Sequence, residues 1–373
     1  MSMTSTGLSS TTIAPAHSFD QLRLSLARVA FDAPAMFTPV KRQSVAGYDG
    51  ITVLAHGVEP SVAYYFRSRL DGQKVSFIDT RRTPPSAFSE QELSSLLHMR
   101  QIILVRRISS AWLKTLTHRR GETASIVYFM DDDLPGAALD PHLPLRYALC
   151  LTAGFMYIRS RLASICDQVL FSTPALAARY PEAKADTLPP LPLPDDNFAA
   201  LDMCSHWSSP MFTIFYHGTS SHTRELAFVA DVARIVQAQR HDTVFEVFGS
   251  RKTLKPFDGI PRMRKLHPMP WEDYITHARA TPLHIGLAPL LETNFNAFRA
   301  ATKFFDITRC RAVGLYSDAS PFNKAIQNHH SGVLLKENPR DWAKEILNLL
   351  KEPSIAVRMA KNAADNCIGP VHA

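Results

Sequence analysis

This chain has no uninterrupted apolar run long enough to cross a bilayer. Its most membrane-like stretch, "LRYALCLTAGFMYIRSRLASIC", is broken by Arg146, Arg159 and Arg161, so it reads as a buried helix with a basic end rather than a span. The amino terminus, "MSMTSTGLSSTTIAPAHS", is polar and has no apolar core of a signal peptide. Cysteine is sparse and odd in number: Cys150, Cys166, Cys204, Cys310 and Cys367 have no CxxC spacing, which suits reduced structural thiols and not a disulfide framework or a zinc ribbon. The expectation is a cytoplasmic protein. GxGxxG, P-loop, GxSxG and HExxH patterns are all missing, which argues against dehydrogenase, kinase, serine-hydrolase and metalloprotease readings. The 41 Lys and Arg outnumber the 34 Asp and Glu, a formal net charge of +7. No basic block resembles a nucleic-acid arm, so nucleic acid is not the expected partner. The surplus suits a nucleotide or a peripheral contact with an anionic membrane.

What is present is a long alternation. With 373 residues, 46% of them hydrophobic, the chain can build two cores. From residue 50, short runs rich in β-branched residues alternate with helical periods. "ITVLAH", "KVSFID", "QIILVRR", "SIVYFM", "DQVLFS" and "ADTLPP" read as strands. "LPPLPLPDDNF" then carries four prolines and reads as a connector. A second alternation runs through "MFTIFYHG", "TVFEVFGS", "RKLHPM", "LHIGLAPLL", "AVGLYSD" and "GVLLK". The division expected is an amino-terminal extension over 1–45, with a short helix over 18–30. A first domain follows over 46–190, a Pro-rich linker over 191–210, a second domain over 211–350 and a closing helix over 351–373. The fold class is α/β, two doubly wound parallel sheets in tandem.

In such sheets ligands sit beyond the carboxyl ends of the strands, so the residues just after each strand are the candidates. His56 and Gly57 follow the first strand. Asp131 and Asp133, in "DDD", follow "SIVYFM". Gly218, Thr219, Ser220 and Ser221 follow "MFTIFY" and precede a helix starting near Thr223. A glycine that admits a close ligand, hydroxyls, and a helix amino terminus together form an anion site, although Ser221 or Thr223 could equally cap the helix. Asn296, Arg299, Lys303 and Asp306 fall at i, +3, +7 and +10, one polar stripe if the segment is helical. Arg299 and Lys303 would then be like charges at i,i+4, mildly repulsive until a diphosphate lies between them. Asp306 would face ribose hydroxyls.

On "YHGTSSHTREL", "GLAPLLETNFNAFRAATKFFDITRCRAVGLYSD" and "CDQVLFSTPALAARY", the chain resembles nucleotide-sugar glycosyltransferases of the GT-B fold over about residues 50–365. The resemblance implies two Rossmann-like domains facing a cleft and a last helix crossing back to the first domain. It implies a nucleotide-diphosphate sugar as donor, no required cofactor or metal, and a hexosyltransferase-like activity. Arg299 and Lys303 match the diphosphate-binding basic residues, with His222 and Arg224 as supplements. Asp306 stands where the family has a ribose-binding glutamate. His56 and Gly57 match the first-domain turn near the donor phosphates. Asp131 or Asp133 would serve as general base or bind the acceptor. By association, that acceptor is a glycan or glycolipid of cell-surface polysaccharide biosynthesis, made at the inner face of the membrane. The rival reading is a non-catalytic sugar- or nucleotide-binding scaffold of the same fold. Donor sugar, acceptor and stereochemistry stay open.

Overall fold

The computed structural model describes residues 36–40, 47–57, 60–218, 222–319 and 321–368. The helix expected over 18–30, and Thr219, Ser220 and Ser221 of the anion turn, lie outside them.

All twelve expected strands form, in two parallel sheets of six. The first holds β1 (Ile51–Ala55), β2 (Val75–Asp79), β3 (Gln101–Val105), β4 (Ser125–Met130), β5 (Gln168–Phe171) and β6 (Asp186–Thr187), in the order β2-β1-β3-β4-β5-β6. The second holds β7 (Phe212–Tyr216), β8 (Thr243–Phe248), β9 (Met263–Leu266), β10 (Ile285–Ala288), β11 (Val313–Ser317) and β12 (Val333–Leu335), in the order β12-β11-β10-β7-β8-β9. Every residue of β1, β10 and β11 is buried, as strands covered on both faces must be. The second order reverses direction between β7 and β10, which leaves a crevice beyond their carboxyl ends. The first reverses between β1 and β3.

The helices follow their sequence signals. The helix α1 (Glu90–Leu97) starts at a capping box of Ser89 and Glu92, and α2 (Ser110–His118) is capped by Ser109. The long α3 (Leu145–Ile165) buries Leu151, Phe155, Ile158 and Leu162. Next, α4 (Pro174–Arg179) opens with Thr173 as cap and Pro174 in its first turn. The helix α5 (Thr223–Gln239) buries the stripe Leu226, Val229, Ala233 and Val236 completely. After α6 (Trp271–Ala280) and α7 (Thr302–Arg309) come a short α8 (Phe322–Ala325), α9 (Pro339–Lys351) and α10 (Pro353–Ile368). The last packs on β11, α7, α9 and the linker turn Phe198–Ala200.

One expectation fails. Asn296–Phe298 is a 3-10 turn, Arg299 is extended with φ −73° and ψ 159°, and α7 begins only at Thr302. The polar stripe from Asn296 to Asp306 therefore does not exist, and Arg299 and Lys303 are not i,i+4 neighbours on a helix. Contacts with the first domain hold this segment out of helical geometry. The Phe295 amide donates to Asp140 Oδ2 at 2.8 Å, and the Thr173 hydroxyl donates to the Phe298 carbonyl at 3.0 Å.

Candidate functional site

The carboxyl ends of the two sheets face each other, and the side chains after β4, β7 and β10 meet between them. Asp132 is the bridge. Its carboxylate accepts from Arg299 Nε at 3.2 Å across the cleft and from Arg106 at 3.0 Å within the first domain. Burial alone would raise the Asp132 pKa, but the two guanidiniums hold it below the ordinary carboxylate value. Burial works against the Arg299 charge, and Asp132, Tyr147 and Glu225 together more than offset it. Arg299 also donates to His222 Nε2 at 2.9 Å. Arginine can only donate, so His222 accepts there and is neutral, in keeping with the lowering of its pKa by burial and by Arg299.

Sequence reasoning picked Asp131 and Asp133 as the residues facing the cleft; Asp132 between them reaches the second domain instead. Asp131 accepts from the Ser61 hydroxyl at 2.6 Å and forms an ion pair with Arg106 at 3.1 Å, and burial raises its pKa. Asp133 turns back into its own domain. It forms an ion pair with Arg179 at 2.8 Å, accepts from the Gly136 amide at 2.9 Å and from the Tyr180 hydroxyl, and is 2% exposed. Three partners from one domain make it the cap of its own loop, which corrects the expectation that it faces an acceptor.

Lys303 projects from the first turn of α7. Its ammonium donates to the His217 carbonyl and lies 3.2 Å from Asp306 Oδ2. Asp306 is 5% exposed and also accepts from Arg309 at 3.0 Å and from the hydroxyl of Tyr64, a first-domain residue. Lys303 and Arg309 overcome the effect of burial and hold its pKa down. Arg309 is fully enclosed and forks onto Asp196 of the linker at 2.6 and 2.9 Å. Around this polar string Tyr64 packs against Trp271 and Phe305, ring centroids 5.5 and 5.9 Å away. The domains are thus joined by apolar rings and by satisfied buried charge.

The helix amino terminus is also engaged. His222 is the residue before α5, Thr223 is its first helical residue rather than its cap, and Glu225 lies buried in the first turn. Glu225 accepts from Asn296 at 3.2 Å, and His222 lies 3.8 Å away. Burial works against its charge, and His222 and Arg299 more than compensate; the helix dipole adds to this. Each of the three features expected to grip a diphosphate therefore already holds a carboxylate of the chain: Arg299 holds Asp132, Lys303 holds Asp306, and the start of α5 holds Glu225. Between them His142, His222, Arg224, Glu225, Asn296 and Arg299 line a small cleft.

The remaining expected residues sit around this centre. Gly218 ends the described part of the turn; a Cβ there would come 2.5 Å from the Tyr216 ring, so glycine is needed by packing as well as by any ligand. Arg224 is exposed at the cleft rim. His56 and Gly57 lie at the reversal point of the first sheet, where Arg107, Asp79 and Arg81 are the charged neighbours of His56, and Gly57 has φ 110°. Sequence reasoning missed Arg106, which follows β3 and falls under the same strand-end rule. It also missed Tyr64, Arg309 and Asp196, whose meeting joins parts of the chain more than a hundred residues apart. His217, Glu246 and His277 bring their ligand atoms within 4.8 Å of one another, the one group among the described residues with donors spaced for a metal ion.

No protein-family model and no curated protein sequence matches the chain. Solved structures do. HepE of Anabaena, in complex with UDP and glucose, aligns with a TM-score of 0.52 at 10% identity, over 85% of this chain and 94% of that one. The apo structure of OtsA aligns at 0.53 and 11%, over 86% and 95%. An S. aureus TarM mutant in complex with fondaparinux, α-GlcNAc-glycerol and UDP aligns at 0.53 and 11%, over 75% and 56%. The chain thus spans little more than half the length of TarM. The matches are GT-B glycosyltransferases, and the likeness establishes the fold: two Rossmann-like domains facing a cleft, the GT-B arrangement. No helix among the described residues is long and apolar enough to cross a membrane.

Proposed function

We propose that the protein is a glycosyltransferase that moves a sugar from a nucleotide-diphosphate donor to a hydroxyl acceptor, with the diphosphate held where Arg299, Lys303 and the start of α5 converge. The observation that carries this is the position of that convergence. It lies at the β7/β10 reversal of a Rossmann-order sheet, where such sheets bind nucleotides, inside a GT-B cleft. Two cations and a helix amino terminus are the groups needed to stabilise a diphosphate as it leaves with growing negative charge. To bind there, the diphosphate would take over Arg299 from Asp132 and part of Lys303 from Asp306. Asp131, its pKa raised by burial, is then the carboxylate placed to take the acceptor proton if the reaction inverts; Asp133 positions its loop. The acceptor class we propose is a glycan or glycolipid of cell-surface polysaccharide, with the protein held peripherally at the inner membrane face by its net charge of +7. UDP-sugars are the first donors to test, since HepE and TarM were solved with UDP.

One observation favours a second reading, a scaffold of the same fold without turnover. Asp306, the expected ribose-binding carboxylate, is covered by Tyr64 and saturated by Lys303 and Arg309. A thermal-shift screen of nucleotide sugars, followed by mass spectrometry of products with glycan acceptors, separates the two. Transfer or donor hydrolysis supports the enzyme, stabilisation without either supports the scaffold, and no response to any nucleotide contradicts both.

A further inference from the structure

The cluster behind the anion turn is built like a metal centre. His217 follows β7, Glu246 lies in β8, and His277 lies in the last turn of α6. Phe215 pairs with Glu246 in the parallel register, and His217, two residues on, projects from the same face. His217 Nε2 lies 3.0 Å from Glu246 Oε1, and His277 Nε2 lies 3.3 Å from the same oxygen. A tetrahedral zinc ion with ligands at roughly 2.1 Å has ligand–ligand edges of about 3.4 Å. Both observed separations, 3.0 and 3.3 Å, fall just short of that edge, so a cation fits once the ligand atoms spread by a few tenths of an ångström.

The surroundings suit a cation. Glu246 is 0% exposed, and its other oxygen is held by Arg264 at 2.8 Å. That arrangement leaves Oε1 for a metal while an outer partner fixes the carboxylate, as outer partners of ligating groups do. The rings of Phe215, Phe248 and Tyr274 stand 4.5, 4.7 and 5.7 Å from the His217 ring and keep water away. The His277 side chain is 26% exposed, which opens a path for an ion from solvent.

We propose that His217, Glu246 and His277 bind a divalent transition metal, zinc by its two-nitrogen, one-oxygen donor set, with a water from the His277 side completing the tetrahedron. The ion replaces the two imidazole N–H groups that now converge on one carboxylate oxygen, and each proton shifts, through solvent, to the far nitrogen of its own ring. Because Lys303 donates to the His217 carbonyl, the metal also anchors the strand end from which the anion turn departs. The proposal does not depend on glycosyl transfer, and its test uses no nucleotide.

The full-length protein, stripped with chelator and retitrated with zinc chloride, should take up one equivalent by elemental analysis. Its melting temperature should rise by about 3 °C at a hundredfold excess over the dissociation constant. His277→Ala, at the exposed ligand, should bind at least tenfold more weakly and lose the thermal gain. Equal zinc affinity and equal thermal gain in wild type and His277→Ala would overturn the proposal and assign the zinc to other histidines. If the variant does not fold, cobalt titration of the wild type decides. A tetrahedral visible spectrum supports the site, and an octahedral one overturns it.

Discussion

Asp132→Asn is the perturbation that separates a poised nucleotide site from a sealed structural one. The substitution keeps shape and removes the charge that holds Arg299 across the cleft at 3.2 Å. Breaking a buried ion pair from one side costs about 3–5 kcal/mol, because the remaining charge is left uncompensated. Here Arg299 keeps His222 at 2.9 Å, and Arg106 keeps Asp131 at 3.1 Å, so the lower end, about 3 kcal/mol, is expected. For a chain of 373 residues that lowers the melting temperature by roughly 4 °C. Nucleotide affinity should move the other way. A diphosphate competes with Asp132 for Arg299, and a charge-assisted hydrogen bond contributes about 1.5–3 kcal/mol. Removing the competitor should therefore tighten UDP binding by about ten- to a hundredfold. Thermal denaturation and calorimetric titration with UDP measure the two effects. A folded, destabilised Asp132→Asn protein with unchanged or weaker UDP affinity would refute the idea that Asp132 and the diphosphate share Arg299.

Other variants test neighbouring links. Lys303→Ala should weaken UDP binding by about ten- to a hundredfold; it should also lower the melting temperature of the free protein, since Lys303 bonds the His217 carbonyl and Asp306, and an unchanged or higher one would contradict that role. Tyr64→Phe removes one donor to Asp306 and should cost about 1–2 kcal/mol by denaturant titration, whereas a neutral effect would show that Lys303 and Arg309 suffice. His284 accepts from the Thr213 amide at 2.9 Å through Nδ1, so it must be neutral, and burial pushes its pKa down to about 4. A histidine with a depressed folded pKa leaves the unfolded chain binding the extra proton, so stability should fall by about 3 kcal/mol as pH drops from 6.5 to 4. A His284→Gln protein with the same pH slope would remove His284 as the cause.

Much of the frame was legible in the sequence. "SIVYFM" forms β4 over Ser125–Met130 residue for residue, because a run flanked by polar residues and buried on both faces has few other ways to fold. The start of α5 at Thr223 was equally plain. The helix α1 was overlooked because only Leu93 and Leu97 are buried in it, though "SEQE" is a readable capping box. The stripe through Asn296 failed for a tertiary reason: Asp140 and Thr173, from the other domain, bind the backbone at Phe295 and Phe298, and no periodicity encodes that. Strand-end logic reached the right loops but not the right member of "DDD", since which carboxylate points across depends on Arg106, Arg179 and Gly136 around them. The union of Tyr64 with Asp306 spans 242 residues and leaves no local trace.

The most direct test of the central claim is calorimetric titration of UDP into the wild-type protein and into Arg299→Ala. The account predicts saturable one-to-one binding in the wild type and at least tenfold weaker binding in the variant, since Arg299 supplies a charge-assisted bond to the diphosphate. Binding of equal strength in both proteins would place the nucleotide elsewhere. Absence of binding to UDP and to the other nucleoside diphosphates would contradict a nucleotide site at the β7/β10 crevice.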